Sequence, residues 1–246
     1  MNNKYLMALV GLSCWFSQAN GAFLCDFEGT AAMPCSPGGI PVTITVVYGS
    51  LAVETGATFI PPVAPTEGSQ FGYITTGPGG VGPASYVDVT GDGIPELDVS
   101  LVQMAFSVAA PVILSFDYDV MTEEITGGNF DPYGILLDGI QVVGGAVGGD
   151  NGSYAAQTGF NNVEYIGPND EQYVDGRLGW QPVNLFVPAG AHVFEFFVAD
   201  ASDDIGDTAL MIDNVQVNPA PAPASWMLLL AGVGLLRRQR ARAAAH

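Results

Sequence analysis

Val112, Leu114, Phe116, Tyr118 and Val120 recur at every second position, with Ser115, Asp117 and Asp119 between them. A period of two sends successive side chains to opposite faces of an extended chain, so residues 112–120 read as a half-buried strand; helical spacing would be 3.6. Residues 191–199 repeat the pattern, with His192, Phe194, Phe196 and Val198 on one face. Further strand candidates are 41–48, 71–75, 86–89, 97–108, 133–137, 141–143, 183–187 and 210–217. Between them stand turns drawn from 32 Gly and 17 Pro, and no segment sustains helical spacing or an internal repeat. This pattern predicts an all-β fold: an antiparallel β-sandwich, specifically a jelly roll, over residues 23–218. An N-terminal signal helix and a short C-terminal apolar helix are expected to flank it.

Charge is segregated along the chain. Of the six basic residues, Lys4 lies at the start and Arg237, Arg238, Arg240 and Arg242 lie at the end, leaving Arg177 alone between them. All 25 acidic residues fall between Asp26 and Asp213, so the middle carries 25 − 1 = 24 net negative charges. Phosphate recognition needs Lys and Arg to displace counterions, which excludes nucleic acid as a partner. Such a surface attracts divalent cations; its plainer role is a solvated face that keeps a secreted protein soluble.

The two ends read as addresses. Lys4, the apolar run 5–16 and the small-residue zone 17–22 have the three regions of a secretory signal peptide over residues 1–22, with cleavage after Ala19, Gly21 or Ala22. Twelve apolar residues are too few for the roughly 20 that span a bilayer. Export implies the general export machinery and a signal peptidase as partners. It also leaves Cys25 and Cys35 as the only cysteines beyond the signal, and these are expected to pair in an oxidising compartment. At the other end, a proline motif containing Pro221 and Pro223 precedes the apolar run 224–236, which stops at Arg237, Arg238 and Arg240. The arginines favour the cytoplasmic side of a membrane.

This order of proline pair, short apolar run and arginines resembles the PEP-CTERM sorting signal, and covers 219–246. Where that family carries Glu between its prolines, this chain has Ala222. Residues 114–124 with 131–139 look like the central strand pair of the jelly-roll ectodomains borne by many PEP-CTERM proteins, and 189–200 with 207–215 look like their closing strands. The resemblance implies processing by an exosortase-type enzyme and delivery, by way of the inner membrane, to the cell envelope surface or the extracellular space, with exopolysaccharide as a candidate partner. It implies no enzymatic activity.

The best chemical motif is an EF-hand-like run of oxygens. Asp88, Thr90, Asp92, the Ile94 carbonyl and Glu96 occupy alternate positions around Gly93, with Asp98 two places further on. It is a candidate calcium loop, and equally a plain Gly-Asp-Gly turn between strands. A second acidic group, Asp117, Asp119, Glu123, Glu124 and Asp131, could form one calcium site with Asp200, Asp203, Asp204 and Asp207 if those strand ends meet; solvated loop carboxylates are the plain alternative. No other cofactor is indicated. With one His, no Lys and two paired Cys, and without His-Glu-x-x-His or Gly-x-Ser-x-Gly, the domain presents no catalytic residues. A glycosidase would need two carboxylates, and nothing selects a pair among 25.

The leading expectation is therefore a non-enzymatic exported surface or matrix protein. The alternative is a secreted carbohydrate-binding module, with Trp180 as the candidate stacking platform and Tyr133, Tyr154, Tyr165 and Tyr173 as supporting ones; a glycoside-active enzyme comes third.

Overall fold

The structure, a computed structural model, describes residues 22–29, 35, 40–77, 87–90, 95–123, 131–147, 154–200 and 206–220. The signal segment through Gly21 and the tail from Pro221 on, with Pro221, Pro223, Arg237, Arg238, Arg240 and both expected flanking helices, lie outside them.

Every regular element among the described residues is a strand. In chain order they are β1 (Ala22–Cys25), β2 (Val42–Tyr48), β3 (Ala52–Glu54), β4 (Phe71–Thr75) and β5 (Leu97–Val108). Then come β6 (Val112–Thr122), β7 (Asp131–Leu137), β8 (Ile140–Val147), β9 (Tyr165–Ile166) and β10 (Gln172–Tyr173). The chain closes with β11 (Gly176–Arg177), β12 (Gln181–Val187), β13 (Gly190–Asp200) and β14 (Thr208–Pro219). Of the expected strand 86–89, the described part, 87–89, forms a single bridge between Val87 and Glu96.

Two antiparallel sheets carry the fold. The seven-stranded sheet runs β11-β6-β14-β4-β3, with β12 also on β6 and β1 also on β14; the five-stranded sheet runs β2-β5-β13-β7-β8. β7 and β8 form a hairpin across Asp138-Gly139, both at positive φ (54° and 74°), the type I′ geometry that this dipeptide favours. Around that hairpin the ladders nest: β6 pairs β12, β5 pairs β13 and β4 pairs β14. Strands next to one another in sequence mostly sit in opposite sheets, so the chain wraps the core as a folded ribbon.

The core is the space between the sheets. Phe116 and Leu114 of β6 and Leu210 and Ile212 of β14 meet Val102 and Met104 of β5 and Phe194 and Phe196 of β13, all buried. Phe116 and Phe194 are in ring contact at 4.9 Å between centroids. Burying each such side chain stabilises the fold by roughly 1.5–3 kcal/mol.

Both sheets are also covered on their outer faces, and this departs from simple alternation. Phe59, Val63, Tyr165, Tyr173 and Trp180 pack over Phe71, Tyr73, Met121 and Met211 of the seven-stranded sheet. The expected polar face of β6 is thus only partly solvated: Asp117 is half-buried, but Asp119 is fully buried beneath this layer. On the five-stranded sheet, Tyr154 packs edge-on against Phe197 at 5.8 Å. Gly134 and Gly144 make room for that contact, since a Cβ at Gly134 would stand 2.4 Å from the Phe197 ring and one at Gly144 2.6 Å from Tyr154.

Cys25, at the end of β1, is bridged to Cys35, with an S–S distance of 2.11 Å and Cα atoms 4.5 Å apart. A loop this short contributes roughly 2–3 kcal/mol by restricting the unfolded chain.

Candidate functional site

Inward-facing Phe194 and Phe196 alternate on β13 with Glu195 and Phe197, which therefore face outward from the five-stranded sheet. Their ladder partners Leu101, Gln103 and Leu136 lie on the same outer face, as does Tyr48 opposite Leu101. Together with the segment Val87, Asp88 and Val89, they line a hollow of ≈ 180 Å³. Its floor is apolar (Leu101, Leu136, Phe197) and its polar groups are Tyr48, Asp88 and Glu195. Gln103 Nε2 donates to Glu195 Oε1 at 2.6 Å, fixing the carboxylate's orientation. An apolar floor with a few oriented oxygen acceptors is the composition of a small-molecule site, although the volume is below the ~300–1,000 Å³ of drug-sized pockets. Only Asp88 of this set was singled out in the sequence; Glu195 looked like an ordinary outward residue of β13.

The EF-hand-like run is seen in part. Glu96 is buried and accepts hydrogen bonds from Val89 N (2.9 Å) and Thr90 Oγ1 (2.7 Å), bracing the turn from within. Thr90 Oγ1 also lies 3.5 Å from Asp88 Oδ1, and Asp98 takes a left-handed conformation, φ 38°. Asp92 and Ile94 lie outside the described residues. Thr90 and Glu96 thus hydrogen-bond to each other in an arrangement that serves the turn.

The second acidic group divides. Asp119 Oδ2 accepts from Arg177 through Nε (2.6 Å) and Nη2, while its Oδ1 accepts from Gly179 N and Val120 N, each at 2.8 Å. Burial pushes this carboxyl up to about 6 despite the opposing pull of the guanidinium, so it remains ionised at neutral pH. Arg177 is the lone basic residue of the middle region, and it is held inside the fold with Tyr165 and Trp180 each 6.0 Å from its guanidinium carbon. Asp117 instead accepts from Asn214 Nδ2 at 3.0 Å. Asp131 and Asp200 do come together, at the far end of β7 and β13, and burial with Asp131's charge drives the Asp200 carboxyl far above the ordinary range. Asp207 is raised to about 6 by burial, then by the nearby Glu171, Glu123 and Asp98. Glu124, Asp203 and Asp204 lie outside the described residues.

The expected stacking rings are largely enclosed. Tyr133, Tyr154, Tyr165 and Tyr173 are buried, and the Tyr73 and Tyr173 hydroxyls bond to each other. Trp180 is half-buried, donates from Nε1 to the Ala64 carbonyl at 2.8 Å, and meets Phe71 edge-on at 5.6 Å. His192 is a structural histidine, bonded to Asp138 Oδ2 (2.7 Å) and the Pro188 carbonyl (2.9 Å), which ties the β7–β8 hairpin tip to β13.

No family model matches the chain, and no curated protein matches it. Among solved structures it is similar to the K2 cleaved adhesin domain of Lys-gingipain, with 14% identity over 82% of this chain and 98% of that one and a TM-score of 0.41. It is also similar to the K1 cleaved adhesin domain of Lys-gingipain from Porphyromonas gingivalis W83 (10% identity, 80% of this chain, 96% of that one, TM-score 0.38). A third is TmCBM61 in complex with β-1,4-galactotriose (12% identity, 73% and 89% coverage, TM-score 0.33). No residue role is carried over from these likenesses.

Proposed function

We propose that this chain is an exported, non-enzymatic surface protein: a jelly-roll ectodomain delivered through a cleaved signal peptide and sorted by a PEP-CTERM-like tail. The observation that carries the reading is the Cys25–Cys35 bridge at the end of the first strand, a cross-link suited to an oxidising compartment. The nested pairing of β4, β5 and β6 with β14, β13 and β12 around the β7–β8 hairpin supports the jelly-roll assignment. In this reading, the exosortase-type enzyme acts on the proline side of the tail, while the arginines remain cytoplasmic. Mass spectrometry of the protein recovered from the cell surface tests it: the mature chain lacks residues 237–246 and begins after Ala19 or Gly21. Recovery of His246 on surface protein would reject processing and leave simple anchoring.

A second reading, a carbohydrate-binding role for the same ectodomain, is favoured by the hollow on the five-stranded sheet. Tyr48 would supply a ring, and Glu195 and Asp88 would accept from sugar hydroxyls. In a pull-down on purified exopolysaccharide, Glu195→Ala, by loss of a charge-assisted hydrogen bond, and Tyr48→Ala, by loss of a stacking ring, are each expected to weaken retention on the order of tenfold. Trp180→Ala, which removes a ring packed on Phe71, should act only through stability. Unchanged retention in both hollow variants would remove this site from consideration.

A further inference from the structure

At the end of the sandwich away from His192, two carboxylates are buried against each other. The β13–β7 ladder is paired up to Val198 opposite Tyr133, and Asp200 and Asp131 each lie two residues beyond that pair on their own strands. On its other side Asp200 is paired with Leu97, beyond a bulge in β5 that includes Asp98. Asp131 is 1% exposed and Asp200 3%. Their carboxyls share a hydrogen bond, and Asp98 is close enough to act on Asp200 electrostatically. Like charges this close on neighbouring strands repel, and burial strengthens the repulsion. No described cation offsets them: Arg177 is engaged with Asp119.

The second observation is an orphan. Asp200 Oδ1 is buried and has no hydrogen-bond partner. A buried carboxylate oxygen without a donor is costly, by roughly 1–3 kcal/mol or more for a charged group, and native folds rarely leave one without a reason. By contrast, Asp131 Oδ2 accepts from Thr208 Oγ1 at 2.9 Å, and Thr208 is in turn bonded to Thr76. Asp200 itself has hydrogen bonds with Thr76 and Asp131, yet its Oδ1 is left buried without a donor.

We infer that Asp200 and Asp131 form a site for one hard divalent cation, of which calcium is the representative, with Asp98 contributing charge beside it. Both carboxylates supply the oxygen ligands such an ion prefers. Nitrogen and sulfur ligands are not at hand, because His192 is bound to Asp138 and Pro188, and Cys25 is bridged to Cys35. Among the described residues no three acidic, His or Cys side chains surround one point as a ready cage. The site is therefore a two-carboxylate one, completed by backbone oxygens, hydroxyls or water. The cation neutralises a repulsion between the ends of β7 and β13, and this role is independent of the ligand reading of the outer hollow.

The test uses the full exported chain in thermal melts, with EDTA, with calcium chloride, and with sodium chloride at matched ionic strength. The wild-type protein should gain several degrees in calcium beyond the sodium control, and calorimetric titration should count one site. Asp200→Asn relieves the repulsion, so it should melt higher than wild type in EDTA while losing at least about tenfold in calcium affinity, and Asp131→Asn should likewise lose the calcium response. A calcium gain that survives both substitutions, or that is abolished by Asp92→Ala instead, would overturn the inference and move the ion to the 88–98 turn. Absence of any calcium-specific gain, with Asp200→Asn still the more stable in EDTA, would overturn it too and identify the pair as two carboxyls sharing a proton.

Discussion

Arg177 shows most directly how a single residue is used here. In a region with 24 net negative charges, its one guanidinium is placed beneath an aromatic layer against the fully buried carboxylate of Asp119. Removing it strands Asp119 without its counter-ion, and Arg177→Ala should lower stability in urea by about 3–5 kcal/mol at neutral pH. The loss should shrink at about pH 5, because protonating Asp119 removes the stranded charge. An equal loss at both pH values would show that ring packing, and not the ion pair, is what Arg177 provides. Asp213 plays a comparable part without a charge partner. Its Oδ2 accepts from Thr66 N (2.7 Å), Thr66 Oγ1 (2.9 Å) and Glu67 N (3.0 Å), holding the loop before β4 onto β14. Asp213→Ala should cost about 1–3 kcal/mol, read from the same denaturation curves.

Among the elements, β1 and β14 decide where the folded unit begins and ends. β1 pairs with β14 from Ala22 opposite Val217, so cleavage after Ala19 or Gly21 leaves that ladder whole, whereas cleavage after Ala22 removes its first pair. β14 lies between β6 on one side and β4 with β1 on the other, runs through Pro219, and is followed by a bond from Ala220 N to the Pro111 carbonyl (3.2 Å). The folded unit thus reaches two residues past Asn218. A chain ending at Ala220 should melt within about 0.5 kcal/mol of the chain bearing the proposed tail, since only segments outside these ladders are removed. A chain ending at Ile212 loses the β1 ladder and half of the β6 ladder, and should not fold cooperatively by circular dichroism. Replacing Cys25 and Cys35 together by Ser should lower stability by about 2–3 kcal/mol and detach β1 first, visible as faster amide exchange at residues 24–25 than in β6.

For the molecule as a whole, the surplus of carboxylates sets the response to pH. Burial raises Asp119 to about 6 and raises Glu54 and Asp213 above their ordinary values; burial, then the charge of Asp213, raises Glu67. A carboxyl whose folded value is raised favours the folded state when protonated. That contribution is full below the ordinary value near 3.8 for Asp and is lost as pH rises through the folded value. Two groups act oppositely. Hydrogen bonds outweigh desolvation at Glu28, from Ser69 and Gln70, and at Asp138, from His192 and Val193, so these favour the folded state when ionised and lose that contribution on acidification. Melting temperature in EDTA should therefore rise by several degrees from about pH 8 to about pH 5 and fall again below about pH 4; each kcal/mol is worth roughly 2–4 °C in a domain this size. A monotonic fall from pH 8 downward would mean that ion pairing, and not carboxylate crowding, dominates the acidic surface.

Much of the fold was legible in local pattern. Residues 71–75 and 97–108 are strands with those bounds, and 112–120 and 191–199 are extended in the structure by one or two residues at their ends, because a period of two in apolar residues admits one backbone conformation that buries them together. The pairing of Cys25 with Cys35 followed from having two thiols in a chain read as exported. β1 and β3 were not legible, being three or four residues long and without alternation of their own, and they exist because β14 and β4 offer them free edges. Nor could sequence separate the carboxylates. Asp117 and Asp119 stand two residues apart on one strand, yet Asn214 meets one where it is half-buried and Arg177 meets the other under a layer of rings. Glu195 in the hollow, and Asp200 facing Asp131, likewise acquire their surroundings from strands more than 50 residues away in the chain. Alternation along a strand is local and can be read from the chain. Which strand lies alongside, and what covers its outer face, depends on contacts between distant segments, and only the tertiary structure decides them.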